Sequence, residues 1–274
     1  MRAHIHGITD SDFPQQLIKL GEGIFLTPNL SRNCDVLLNE SLGQIVHDLE
    51  ILIDAVYPDI ENLHEKDFYW LCSRAIVSPR NDTVDEINNL IIQKVTGQIK
   101  NYKSIDTVTN IEDAGHYPQE FLNSLNPSGL PPHELTLKIE TPIMLLRNLS
   151  PPSMCNGTRL LIKELKDNLI VATIITGPSV SQLTHISRIP MIPTDLPIPF
   201  KRLQFPVKSS FALTINKSQG QTFELVGIDL RKECFTHGQL YIGLSPVGAP
   251  KNQFILLPQN KTTSNIVYRE ALTQ

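Results

Sequence analysis

The chain has 274 residues, 41% of them hydrophobic and 19% charged, with a formal net charge of −4. That length leaves room for about two ordinary domains with a sizeable core, and the composition is globular rather than disordered. The slightly acidic balance excludes capture of nucleic acid by bulk attraction, so any such contact has to come from a local groove. Four cysteines, Cys34, Cys72, Cys155 and Cys234, lie far apart with no histidine at metal-ligand spacing, and read as reduced thiols rather than a zinc site. No stretch approaches the ~18 apolar residues of a membrane helix, and the first ten residues lack the apolar core of a signal peptide. The expectation is a soluble intracellular protein without a membrane partner.

Residues 11–21 are predicted to form a short amphipathic helix, capped by Ser11 and stopped by Gly21. A longer helix is predicted over 39–57, where Ile45, Leu49, Leu52, Ile53 and Val56 make an apolar stripe that Pro58 ends, with His47 facing solvent. Trp70 to Ser78 is a near-continuous apolar run, predicted as a strand buried on both faces. Pro79-Arg80-Asn81 turns it, Asn81 or Asp82 caps, and Val84, Ile87, Ile91 and Val95 line one side of a helix ending at Gly97. Strand, turn and helix make half a crossover unit, which favours a parallel sheet.

Between about 115 and 206 prolines crowd and helical periodicity disappears. Leu135–Ile139, Ile143–Arg147, Thr158–Leu165, Leu169–Thr176 and His185–Ile189 read as short strands, with Asp167-Asn168 as a hairpin turn. They suggest a small β-barrel inserted into an α/β unit that resumes at Gln204. From Gln259 the tail is polar and expected to be loosely attached.

Phe211 to Val247 carries the densest chemistry. Phe211-Ala212-Leu213 leads into a polar loop, Thr214–Thr222, with three amides, one cation in Lys217 and one glycine in Gly220. Such a loop suits phosphate oxygens, because glycine lets backbone N–H groups approach closely while lysine supplies a point charge. An ordinary polar turn between buried elements is the other reading. Glu224–Leu230 is then predicted as a buried strand and His237–Val247 as a helix with Leu240, Tyr241 and Leu244 on one face.

A phosphate-binding loop of the form G-x-x-x-x-G-K-[ST] is absent, and the sequence contains no Gly-Lys pair. Asp85-Glu86 is the nearest approach to a metal-binding acidic pair, but it sits at a helix start, where the helix dipole favours acids anyway. No G-x-S-x-G is present and no histidine falls in a recognisable nucleophile motif.

WLCSRAIVSPRNDTVDEIN (70–88), YPQEFLNSLNPSGLPPHELTLK (117–138), TPIMLLRNL (141–149), CNGTRLLI (155–162), SRIP (187–190), FPVKSSFALTINKSQGQTF (205–223) and HGQLYIGLS (237–245) span nearly the whole chain. Together they resemble the C-terminal half of Pif-type DNA helicases, the superfamily-one group that includes the helicase portions of Helitron transposons. The resemblance implies an α/β fold: a second RecA-like domain over 1–116 and 205–260, interrupted by an inserted small β-barrel, the 2B domain, over 117–204, with a C-terminal tail at 261–274. It also implies ATP and magnesium as the family's cofactors, single-stranded DNA as partner, nuclear localisation, and work in DNA repair, recombination, telomere maintenance or transposition.

On the same resemblance, FALTINKSQGQTF matches helicase motif V. Thr214, Asn216, Lys217 and Gln219 become candidates for DNA-phosphate or coupling contacts, with Gly220 and Gln221 on the nucleotide side; bracing of the loop by Ser218 and Gln219 is the alternative. Met1-Arg2-Ala3 resembles a stretch whose arginine reaches the terminal phosphate, making Arg2 a candidate sensor. Arg147, Asn156 and Thr158 resemble positions near the DNA path, although Asn-Gly is a turn formula in its own right.

Two departures follow. The first RecA-like domain, with its phosphate loop and magnesium acids, is not in this sequence, and an upstream segment of a truncated gene is one expected source of it. The family's L-S-R-V, whose arginine acts on transition-state charge, stands here as Leu244-Ser245-Pro246-Val247. Pro246 supplies no cation, and inside a helix it is expected to remove a donor and kink the turn. The expectation is a fragment or degenerate helicase relative that is inactive alone and binds no cofactor tightly, or else a non-catalytic single-stranded-DNA or protein-binding module. A smaller departure is Glu140, where the family often has glycine.

Overall fold

The computed structural model describes residues 12–25, 34–109, 115–193, 196–259, 262–268 and 270. Ser11 and Arg2 lie outside these. The chain forms two compact units, one of residues 1–95 with 211–274 and one of residues 96–210.

In chain order the first unit contributes α1 (Asp12–Gly21), β1 (Asp35–Leu37), β2 (Gln44–Val46), α2 (Leu49–Val56), α3 (Phe68–Cys72), β3 (Arg74–Ser78) and α4 (Asn81–Lys94). The second contains β4 (Lys100–Lys103), β5 (Ile105–Val108), α5 (Gln119–Ser124), β6 (Glu134–Leu137), β7 (Pro142–Leu145), β8 (Arg159–Leu165), β9 (Leu169–Ile174), β10 (Leu183–Ser187), β11 (Ile189–Met191), β12 (Phe200–Gln204) and β13 (Val207–Ser209). The chain then returns to the first unit with β14 (Ala212–Thr214), α6 (Ile215–Ser218), β15 (Leu225–Asp229), α7 (Gln239–Leu244), β16 (Gln253–Leu256) and β17 (Thr262–Ser264).

The first unit is built on a five-stranded sheet in the order β14-β3-β15-β16-β2, every neighbouring pair parallel. Its strands are short and apolar, as expected when helices cover a parallel sheet. Helix α2 lies directly on β15: a Cβ added at Gly227 would come within 2.8 Å of Val56 and 3.0 Å of Leu52. Helix α4 presents Val84, Ile87 and Ile91 to the core, all buried.

Three expectations fail here. Residues 39–57 are not one helix: Gln44–Val46 pairs with β16 as a strand, and the helix starts only at Leu49, where the Asp48 carboxylate accepts from the Ile51 N–H at 2.8 Å. The run Trp70–Ser78 is divided as well, because Asp67 caps Trp70 N–H at 2.6 Å and turns Phe68–Cys72 into helix, leaving Arg74–Ser78 as the strand. The tail is also not loose over its described part. β17 pairs with β1, the Asn265 amide donates to Leu20 O at 2.9 Å, and Tyr268 stacks on His237.

In the second unit a five-stranded antiparallel sheet, β10-β9-β8-β7-β13, and the β4-β6 pair enclose one core, with Tyr102, Leu137, Ile143, Leu160, Ile170 and Phe205 at its centre. Asp167-Asn168 lies at the β8–β9 hairpin, closed by Lys166 N–H to Leu169 O at 2.9 Å. Glu140 adopts φ +64°, a left-handed conformation that glycine takes without steric cost. A third sheet, β11-β12-β5, carries a buried ion pair: Arg202 and Asp106 are both fully buried and bonded through two contacts of 2.9 and 2.8 Å. The remaining Arg202 donors reach the carbonyls of Pro131, Leu122 and Leu125, and Ser104 Oγ donates to Asp106 at 2.7 Å.

Candidate functional site

The expected polar loop begins at Thr214, the last residue of β14, so it stands at the carboxyl edge of a parallel sheet, where α/β folds place their ligands. Most of it is not loop. Ile215–Ser218 makes one helical turn, and its spacing sorts the side chains: Ile215 and Ser218 point inward and are buried, whereas Asn216, Lys217 and Gln219 are exposed. Thr214 is the N-cap, yet its hydroxyl makes no capping bond. The Ser218 hydroxyl donates to Ile215 O at 2.8 Å, so Ser218 braces the turn while its neighbours face out.

The turn closes through Gln221, whose N–H donates to Ser218 O at 3.0 Å and whose side-chain amide donates to Lys217 O at 3.1 Å. Gly220 adopts φ +87° with no other protein atom near where a Cβ would stand, so glycine is required by the backbone rather than by crowding. The turn is seated from below by α7: a Cβ at Gly243 would approach Ile215 Cδ1 to 3.0 Å, so the absent side chain lets the two helices meet.

Pro246 is differently placed from the expectation. Helix α7 ends at Leu244, so Pro246 lies beyond it and kinks nothing. Its ring is buried, and its carbonyl accepts from Phe223 N–H at 3.1 Å, which fixes the outgoing end of the motif loop. The missing positive charge remains a fact of the sequence.

The acids at this sheet edge are engaged internally. Arg231 donates to Asp229 at 2.8 Å and to Glu86 at 3.2 Å, and the bonds to Asp229 raise the guanidinium pKa above its usual value. Among the described residues no three histidine, cysteine or acidic side chains converge as metal ligands. With Glu86 and Asp229 both held by Arg231, these two acids do not fit a magnesium site. Burial pushes the Cys234 thiol up to about 12, far from a reactive thiolate.

The other candidates gather on the connection between β7 and β8 in the second unit. Arg147 is half-buried and donates to Leu146 O at 3.2 Å. Asn156 is exposed, and its N–H donates to Asn148 Oδ1 at 2.7 Å. Thr158 closes the turn, its hydroxyl accepting from Cys155 N–H at 3.0 Å. The structure therefore brings Thr214, Asn216, Lys217, Gln219, Gly220 and Gln221 onto one turn, and Arg147, Asn156 and Thr158 onto one hairpin connection.

A further group was not singled out as a site in the sequence. Beyond the end of β3, a cleft of about 420 Å³ is lined by Pro79, Arg80, Asn81, Asp82 and Phe235. A phenylalanine in the polar run Lys232–Gly238, exposed in the fold, is the signal that could have found it.

Residues 120–165 match the family model described as DNA helicase Pif1, 2B domain. The chain is 26% identical over 203 residues to the ATP-dependent DNA helicase Pif1 of Campylobacter jejuni, covering 71% of this chain and 43% of that protein. It is 26% identical over 168 residues to human ATP-dependent DNA helicase PIF1, covering 60% and 24%. Among solved structures, Bacteroides Pif1 helicase in complex with ADP-AlF3 and ssDNA matches at TM-score 0.61 and 19% identity, over 97% of this chain and 53% of that one. Candida albicans Pif1 helicase matches at 0.60 and 19%, over 96% and 56%. The chain thus spans less than half the length of these curated relatives. In sequence over residues 120–165 and in fold over nearly its whole length, the chain is similar to the C-terminal region of Pif1-type helicases.

Proposed function

We propose that this chain supplies the second RecA-like domain and 2B insert of a Pif-type helicase, gripping single-stranded DNA while a separate first domain holds ATP and magnesium. The observation that carries the reading is the turn at 215–218, which buries Ile215 and Ser218 and presents Asn216, Lys217 and Gln219 together at the carboxyl edge of the sheet. Lys217 contacts a phosphate, with Thr214, Asn216 and Gln219 as hydrogen-bonding partners; Gly220 and Gln221 serve the nucleotide side, the role that the sequence resemblance also gives Arg2. Arg147, Asn156 and Thr158 give the insert its own strand contact, Asn156 as the exposed donor and Thr158 through the turn it holds.

Lys217→Ala should weaken binding to single-stranded oligonucleotides of any sequence and lower the slope of log affinity against log salt by about one, measured by fluorescence anisotropy. Unchanged affinity and slope would remove the phosphate contact. Pro246 favours a chain that binds without turning over ATP. Loss of an arginine finger lowers phosphoryl-transfer rates by about 10³ to 10⁵, and no phosphate loop is present to hold the substrate. The purified chain should therefore release no phosphate from ATP, with or without DNA; DNA-stimulated hydrolysis sinks that part of the reading.

A further inference from the structure

The cleft beyond β3 has features that the motif turn does not share. Its volume, about 420 Å³, lies within the ~300–1,000 Å³ usual for small-ligand sites. One wall is Phe235, 53% exposed, an unusual position for a large aromatic ring in a polar segment. The Arg80 guanidinium stands 5.8 Å from that ring's centroid, near the ~6 Å outer limit of a cation–π contact, so two planar groups neighbour one another in the cleft lining.

The two lips are tied together from below. Gln239 is 1% exposed; its carbonyl accepts from Phe235 N–H at 2.9 Å, and its amide donates to Pro79 O at 3.5 Å. One buried side chain thus fixes the spacing between the phenylalanine lip and the Pro79–Asp82 lip, and a preset slot of this kind binds without a large ordering cost.

At the rim, Asp82 uses Oδ1 to accept from Thr83 N–H at 2.9 Å, which leaves Oδ2 as an acceptor facing solvent. Asn81 beside it is exposed and carries both a donor and an acceptor. Carboxylates accept from the amino group of cytosine, and asparagine pairs with the edge of adenine.

We infer that this cleft takes a nucleobase bearing an exocyclic amino group, stacked on Phe235 and Arg80 and read along its edge by Asp82 and Asn81. The base comes either from a single strand or from a free nucleotide; the strand as its source rests on the function proposed above. Thymine and uracil lack the amino donor and bind more weakly.

The test uses the full chain with labelled oligo-dC and oligo-dT, two pyrimidine strands that differ at that amino group, and with free cytidine monophosphate. Oligo-dC should bind about fivefold tighter than oligo-dT, and Asp82→Ala should bring the two together. Phe235→Ala should weaken oligo-dC about tenfold, while Phe235→Trp retains binding, since the ring face is what matters. The side chain is over half exposed, so neither variant threatens the fold. If Phe235→Ala binds like wild type while Lys217→Ala is weakened, the cleft inference falls and the strand-binding function stands. Binding of cytidine monophosphate that is lost in Phe235→Ala, with no oligonucleotide bound, upholds the base site and overturns strand binding. If neither probe binds at low salt, both are overturned.

Discussion

Replacing Asp106 by Asn should destabilise the inserted unit by about 3–5 kcal/mol, the largest single effect expected in this chain. Asp106 and Arg202 are both fully buried, and the carboxylate is the guanidinium's one anionic partner among the described residues. Once the carboxylate is removed, Arg202 retains the carbonyls of Pro131, Leu122 and Leu125, which accept from its two terminal nitrogens but do not balance its charge. The sole tryptophan, Trp70, lies in the other unit. Its fluorescence therefore follows the parallel-sheet unit, and amide hydrogen exchange in β12 and β5 is the measurement for the insert. A double variant, Asp106→Leu with Arg202→Met, should recover much of the loss, because replacing a buried pair with apolar side chains is often neutral. Protection in Asp106→Asn that matches wild type would mean that the pair contributes nothing.

The second large effect is expected at Asn88 on α4. Its side chain donates to Ala212 O at 3.0 Å and accepts from Ala212 N–H at 2.9 Å, in the manner of a neighbouring strand. β14 is the outer strand of the sheet, and this amide stands where its next ladder partner would be. Asn88→Ala strands a buried donor and a buried acceptor at about 1–3 kcal/mol each, so a loss of at least about 2 kcal/mol follows. Asn88→Asp should also destabilise, since a carboxylate keeps the bond to the N–H but faces the Ala212 carbonyl with a second acceptor. The urea midpoint read by Trp70 fluorescence checks both; an unshifted midpoint in Asn88→Ala rules the clamp out.

Much of this fold was legible because α4 repeats its apolar residues with a helical period and turn residues bound the short strands of the insert. Val84, Ile87 and Ile91 form a stripe that only a helix explains, and Asp167-Asn168 joins two apolar runs. Two of the failures share one cause. Asp48 and Asp67 each cap a helix whose apolar residues resembled something else, and a cap decides where a helix begins more firmly than a stripe that also runs through an adjoining strand. Ile45 extended the stripe of α2 by coincidence, while its real partner, Ile255, lies more than two hundred residues along the chain.

The site was legible to a different degree. The motif turn announced itself through Lys217 and Gly220, but its helical form did not, because four residues are too few for any periodicity to register. Phe235, Arg80 and Gln239 are brought together from separate segments by the tertiary fold, so no local pattern could have grouped them.

The Asn88 clamp also bears on how the molecule assembles. The strand it secures, β14, enters the sheet only after the chain has left at Val95 and come back at Phe211, whose carbonyl accepts from both Tyr57 Oη and Ile76 N–H. Closing a flexible excursion of that length carries an entropy that rises by about 0.6 kcal/mol for each doubling. An insert that folds first shortens the excursion to the distance between its own termini, so the stability of the insert sets how readily β14, and the motif turn that follows it, reach their place. A substitution at Asp106 would thereby slow completion of a sheet to which Asp106 does not belong.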